Sequence, residues 1–246
     1  GARGLDGRAV LDHLLCQFIR QLGGANGIGD AGDALPLDDR GWAVSTLGEA
    51  TTVRLLSPGN RFLEVGLSRL PGIKVTVVPT STATFTESAA QVPLTILDGI
   101  VSPTLPPGNL FFIAPPRSTE FFSVTGQVDF PTLRPTPGDD RLLRNVKLSD
   151  VSVLKANRIQ PGTWARTVVD GDGGPMLVAG ERDGRRIVVL AFDLHNSDLP
   201  VQIAFPLLLS NIVSELVPGS GADTAQLAPG QPLALLVDSS ITTVRI

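Results

Sequence analysis

The stretch from Pro175 to Val217 limits the fold more than any other. Two apolar runs, PMLVAGE and RIVVLAFDL, flank Asp183-Gly184. That dipeptide accepts the positive φ angles of a tight turn, so the runs are predicted to pair as an antiparallel hairpin. A polar break, His195-Asn196-Ser197-Asp198, then leads into a long apolar stripe. Val201, Ala204, Phe205, Leu208, Leu209, Ile212, Val213 and Leu216 recur at the spacing of one helix face, and Pro218-Gly219 ends it. Pro206 cannot donate to the helical ladder, which places the helix start near it or a kink at it. A hairpin feeding such a helix closes an α/β sheet. Asp193, His195, Asn196, Ser197 and Asp198 are the polar residues crowded at its turning point.

Composition narrows the function classes. With 42% hydrophobic and 18% charged residues over 246 positions, the chain can bury a sizeable core and is not a disordered polymer. A net charge of -4 argues against a nucleic-acid partner, which normally requires a basic face. The single cysteine, Cys16, excludes an internal disulfide framework and a cysteine-rich zinc site. No cofactor or metal is expected. No run reaches the roughly 20 apolar residues of a membrane span, and both ends read as cuts through a longer protein.

In chain order, residues 1–34 read as an amphipathic helix over Leu5–Leu22 followed by a glycine-rich linker, Gly23–Gly32. Residues 35–50 read as an isolated edge strand from an upstream β-sandwich. The α/β pattern occupies 51–219. It opens with a strand at Val53–Leu56, a turn at Ser57-Pro58-Gly59-Asn60, a helical stripe through Leu70 and a β-branched strand at Ile73–Val78. Such a βαβ unit implies parallel strands. Further strands are predicted at Leu94–Leu97, Leu110–Ala114, Phe121–Val128, Val151–Ile159 and Ala165–Val169. Pro131–Gly138 reads as a loop, and Asp139 or Asp140 as the cap of a short helix through Leu143. Residues 220–246 read as a spacer and the start of another β element. The expected class is therefore α/β: a mainly parallel central sheet flanked by helices, with an antiparallel hairpin at one side.

Three motifs invite chemistry and fail on context. Gly27, Gly29 and Gly32 form G-x-G-x-x-G, but the motif follows a helix pattern instead of joining a strand to a helix. His13 and Cys16 lie three apart with no third group to orient the imidazole. Asp170, Asp172 and Glu181 match positions 1, 3 and 12 of an EF loop, yet position 5 is Gly174 and the glycine position holds Pro175. A turn between strands is the expectation there.

The segments GNRFLEVGLSRLPGIKVTVV, LPPGNLFFIAPP and GRRIVVLAFDLHNSDLPVQIAFPLLLSNIV resemble the class I glutamine amidotransferase-like domain of bacterial membrane proteins that also carry a von Willebrand factor A domain and Bat-like segments. The resemblance covers about Thr52 to Pro218 and is most specific in FDLHNSDLP. It implies a flavodoxin-like sheet and a place at the cell envelope, on the extracytoplasmic side of the plasma membrane. It also permits a catalytic test. The family's enzymes place a cysteine on a strand-to-helix elbow and a histidine and glutamate spaced H-x-E after a late strand. Here the elbow strand Leu110–Ala114 is followed by Pro115, Pro116, Arg117 and Ser118, and the residue two beyond His195 is Ser197. A nucleophile, its base and an orienting acid act as a unit, and only the base has a candidate. The catalytic candidates are His195 and Ser118; Asp193, His195 and Asp198 form a candidate ligand-binding cluster. Against that cluster stands a structural reading in which Ser197 or Asp198 caps the next helix and His195 bonds a neighbouring loop. The expected function is a non-catalytic structural or interaction module, with protein partners or other domains of the same longer chain. The alternatives are a hydrolase or amidotransferase using His195 with an unidentified nucleophile, and a small-molecule sensor.

Overall fold

The computed structural model of the chain describes residues 26–28, 41–43, 50–79 and 92–218. The helix expected at Leu5–Leu22, the connection at 80–91 and the strands expected beyond 219 lie outside the described residues. The chain divides into two compact units, Gly1–Glu49 and Ala50–Ile246. In the first, β1 (Asn26–Ile28) pairs antiparallel with β2 (Gly41–Ala43), with Gly27 opposite Trp42. The strand expected to stand alone thus has a partner within the chain, inside the stretch read as linker. Glycine content hid that strand, because ladder pairing uses backbone groups that Gly27 carries like any residue.

The second unit begins with β3 (Thr51–Ser57), α1 (Arg61–Ser68) and β4 (Ile73–Pro79). There follow β5 (Leu94–Asp98), β6 (Asn109–Ile113), β7 (Phe122–Asp129), β8 (Arg134–Pro135), β9 (Lys155–Pro161), β10 (Ala165–Asp170), β11 (Leu177–Arg182), β12 (Arg185–Leu190) and α2 (Ala204–Leu216). One sheet runs β4-β3-β5-β6-β12-β11-β10-β8. Its first five strands are mutually parallel and the last three antiparallel. Counted in chain order, the parallel part reads 2-1-3-4-5, the flavodoxin-like order. The expected α/β class, mainly parallel with an antiparallel hairpin, is what the structure contains.

Alternation along β6 assigns the faces. Phe111 and Ile113 meet α1 and α2 in one apolar interior with Leu63, Phe205 and Leu209. Phe112 points the other way and meets Phe122 of β7 edge-on, ring centres 5.1 Å apart. A two-stranded antiparallel ribbon, β7–β9, therefore covers the face opposite the helices. Helices, sheet and ribbon share one buried core. At the hairpin, Asp183 (φ 54°) and Gly184 (φ 72°) both take the left-handed conformation, as a type I′ turn requires.

Local expectations fail in three places. Val201 is 78% exposed, because Leu199–Val201 forms a separate 3-10 turn containing Pro200 and the helix starts only at Ala204. The breaker-rich loop contains β8, a two-residue edge pairing in which Pro135 lies at the sheet margin, where a missing donor is tolerated. The apolar start at Val151 is buried without being a strand; β9 begins at Lys155.

Candidate functional site

In an open parallel sheet, the crevice at the carboxyl ends of the strands opens where the strand order reverses. Here that point lies between β3 and β5, and it collects polar residues. Ser57 ends β3 and Asp98 ends β5; Ser57 Oγ donates to Asp98 Oδ2 at 2.7 Å. Gly59 N–H donates back to Ser57 Oγ at 3.1 Å. Asn60 caps α1, its Oδ1 accepting from Leu63 N–H. Asp98 is only 4% exposed, and burial pushes its pKa up from the usual carboxylate range. The Ser57 hydroxyl offsets part of that rise, the negative charge of Asp193 adds to it and His195 offsets it slightly. Asn60 Nδ2 is buried outside hydrogen-bond geometry, so its influence on Asp98 is that of a nearby dipole rather than a bond.

Next to this pair stands the candidate imidazole. Asp193 caps the 3-10 turn Leu194–Asn196: its Oδ1 accepts the His195 N–H at 2.8 Å and lies 3.0 Å from His195 Nδ1. One carboxylate oxygen thus fixes both backbone and ring. The ring also meets Phe62 of α1, centres 5.7 Å apart, and its side chain is 52% exposed. Nε2 has no hydrogen-bond partner among the described residues. The structure brings Asp193 and His195 together but not Asp198, whose Oδ1 accepts the Ser152 N–H at 2.8 Å. Neither Ser197 nor Asp198 caps the next helix by its side chain. Ser197 Oγ donates to Leu194 O, and the α2 cap, Ile203, has no polar group to offer. His195 bonds Asp193 rather than a neighbouring loop. Ser118 belongs to the root of the ribbon, its Oγ accepting the Val124 N–H at 2.9 Å.

The elbow position is occupied by Ala114. It follows β6 directly, donates its N–H to Leu190 O at 2.8 Å and has φ 45°, a conformation strained for a residue with a Cβ. The chain turns sharply there, but no helix follows: the next element is β7, so the strand-to-helix elbow expected from the resemblance is not formed, and the turn carries a methyl group. Ala114 lines a cleft of about 530 Å³ between the carboxyl edge and the ribbon. Gln127, Lys155, Asn157, Asp193 and Asn196 supply its polar wall.

Sequence reasoning missed Asp98, Ser57 and Asn60. The available signal was positional: LTILDG ends a mostly apolar strand, buried throughout, on a carboxylate at the switch point. The Asp170–Gly174 stretch is a turn, as expected. Asp172 accepts from Thr132 Oγ1 at 2.7 Å and Arg134 at 2.5 Å, and these partners hold its pKa down to about 2. Among the described residues no group of three histidine, cysteine or acidic side chains converges as metal ligands would. No helix among them is long and apolar enough to cross a membrane.

No protein-family model and no curated protein matches the chain. Solved structures do resemble it. A cytoplasmic protein of Salmonella typhimurium superposes with a TM-score of 0.55 at 14% identity, over 67% of this chain and 98% of its own. A second cytoplasmic protein, from Salmonella typhimurium LT2, gives 0.53 at 11% identity, over 68% and 99%. A GMP synthase-type protein of Thermoplasma acidophilum gives 0.46 at 7% identity, over 69% and 95%, too distant to carry an argument. The likeness to the two Salmonella proteins is one of fold: a mainly parallel α/β sheet.

Proposed function

We propose that residues 51–219 are a non-catalytic module of class I glutamine amidotransferase-like architecture, serving binding and interaction within a longer, envelope-anchored bacterial protein. The observation that carries this reading is Ala114. The turn that ends β6, where the resemblance would place a nucleophile, has a positive φ, but its side chain has no lone pair to donate. The acid expected after the histidine is absent as well, since Ser197 stands two residues beyond His195 and spends its hydroxyl on Leu194 O. Asp193 orients His195, so an aligned imidazole remains without a nucleophile beside it. The envelope location and the partners, other domains of the same chain or separate proteins, follow from the sequence resemblance. The test is covalent labelling of the full chain with an electrophilic glutamine analogue, read by intact mass. The expected result is no adduct within residues 51–219; a stoichiometric adduct there overturns the reading.

One observation favours a second reading, a hydrolase. The Asp193–His195 pair leaves Nε2 open beside a buried carboxylate, Asp98, whose proton affinity is raised. Turnover of an ester or amide substrate that disappears in His195→Ala would support it.

A further inference from the structure

We infer that the cleft at the carboxyl edge binds a neutral saccharide, one or two pyranose units in size. This inference rests on the reading of the domain as a binding module and names the class of its ligand.

The cleft is shaped by a specific backbone device. In the β7–β9 ribbon, Val124 pairs with Ile159 and Gln127 with Asn157, so Thr125 and Gly126 together oppose Arg158. Two residues against one is a β-bulge, which bends the strand and re-aims its side chains. The bend falls where the ribbon passes the carboxyl edge, and Gln127 emerges from it on the cleft wall. The volume, about 530 Å³, lies within the range of roughly 300–1,000 Å³ that small ligands occupy.

The polar groups have defined orientations and unspent capacity. Gln127 Nε2 donates to Asn157 Oδ1 at 3.1 Å, and Asn157 Nδ2 donates to Pro115 O at 2.9 Å. That relay fixes the Gln127 amide and leaves its oxygen free to accept. The Asn196 side chain has no partner among the described residues. Asp193 commits Oδ1 to His195 and keeps Oδ2 open. Carboxamides and a carboxylate that together donate and accept suit hydroxyl groups, which do both. Ala114 and Pro116 supply apolar surface for the C–H face of a sugar ring.

The same residues disfavour other ligands. An anion would meet the Asp193 carboxylate, and the nearby cation, Lys155, already stands 3.9 Å from Asp129. Near the start of α1, Gly59 N–H is taken by Ser57 Oγ and Leu63 N–H by Asn60 Oδ1. A nucleobase would need an exposed ring to stack on, whereas Phe192 is 3% exposed.

The test is titration calorimetry of the full chain with glucose, cellobiose and N,N′-diacetylchitobiose. Gln127→Ala and Asn196→Ala are measured in parallel, both at exposed positions, with thermal melts to confirm their folding. The inference predicts saturable binding of at least one sugar, weakened about tenfold by either substitution. No saturable binding to any of the three overturns it, as does binding that both variants retain unchanged. Its failure is distinct from failure of the proposed function. A sugar bound and then cleaved would keep the site and refute the non-catalytic reading; no binding and no covalent labelling would do the reverse.

Discussion

Replacing Leu209 and Gly66 together tests how the helical layer is packed. Leu209 is 3% exposed, and its Cδ2 lies 2.8 Å from where a Cβ on Gly66 would stand. Leu209→Ala removes a buried side chain from an interior held on either side by Phe205, Leu208 and Ile212, which limits collapse. A loss of about 3–5 kcal/mol is expected, the upper part of the range for such truncations. Gly66→Ala alone gains about 1 kcal/mol of helix propensity. It also drives a methyl against Leu209 Cδ2 and, at 3.2 Å, Phe205 Cε1, a strain of about 1–3 kcal/mol. The single change is therefore neutral to destabilising. In the double variant the clashing Cδ2 is gone and the new methyl fills part of the hole. Gly66→Ala should then become stabilising, with a favourable coupling of about 1–2 kcal/mol. Urea midpoints at unchanged m-values measure all four corners. Strict additivity would refute the claim that α1 and α2 meet through this glycine.

Three further outcomes follow from the structure. Gly184→Val should cost about 1–3 kcal/mol by thermal or urea unfolding, since a β-branched residue resists φ 72°; wild-type stability would exclude the type I′ turn. Asp98 has a raised folded-state pKa, so the folded state binds its proton more tightly than the unfolded state. Its ionisation thus costs stability as pH rises above the unfolded value. Wild-type protein should gain stability relative to Asp98→Asn as pH falls from 7 toward the ordinary carboxylate range, and a pH-independent difference would contradict the burial argument. His195→Ala should cost less than about 1 kcal/mol, because the ring is half exposed and loses one bond to Asp193.

What could be read from the sequence was local. Asp183-Gly184 announces its turn by chemistry two residues long. Ala204 to Leu216 announces its helix by a period that burial preserves at seven positions. The same period extended falsely to Val201, because an apolar residue at the right spacing does not reveal that Pro200 has already closed a separate turn. Asp193, His195 and Asp198 were legible as a cluster of residue types, but which of them pair depends on backbone direction. Asp193 caps its own turn while Asp198 faces Ser152. The partnership of Ser57 with Asp98 spans 41 residues and exists only because β3 and β5 are sheet neighbours. The left-handed Ala114 could not be read at all, since alanine has no preference for that conformation.

The central claim is that the turn after β6 holds no nucleophile, and steady-state ammonia release from glutamine tests it most directly. The purified chain, at saturating glutamine, should release ammonia no faster than a protein-free blank. His195→Ala, folded by the same melts, should leave that rate unchanged, and so should Cys16→Ala. Glutamine hydrolysis well above the blank, abolished in His195→Ala with the fold intact, would contradict the account and make the Asp193–His195 pair the centre of an enzyme.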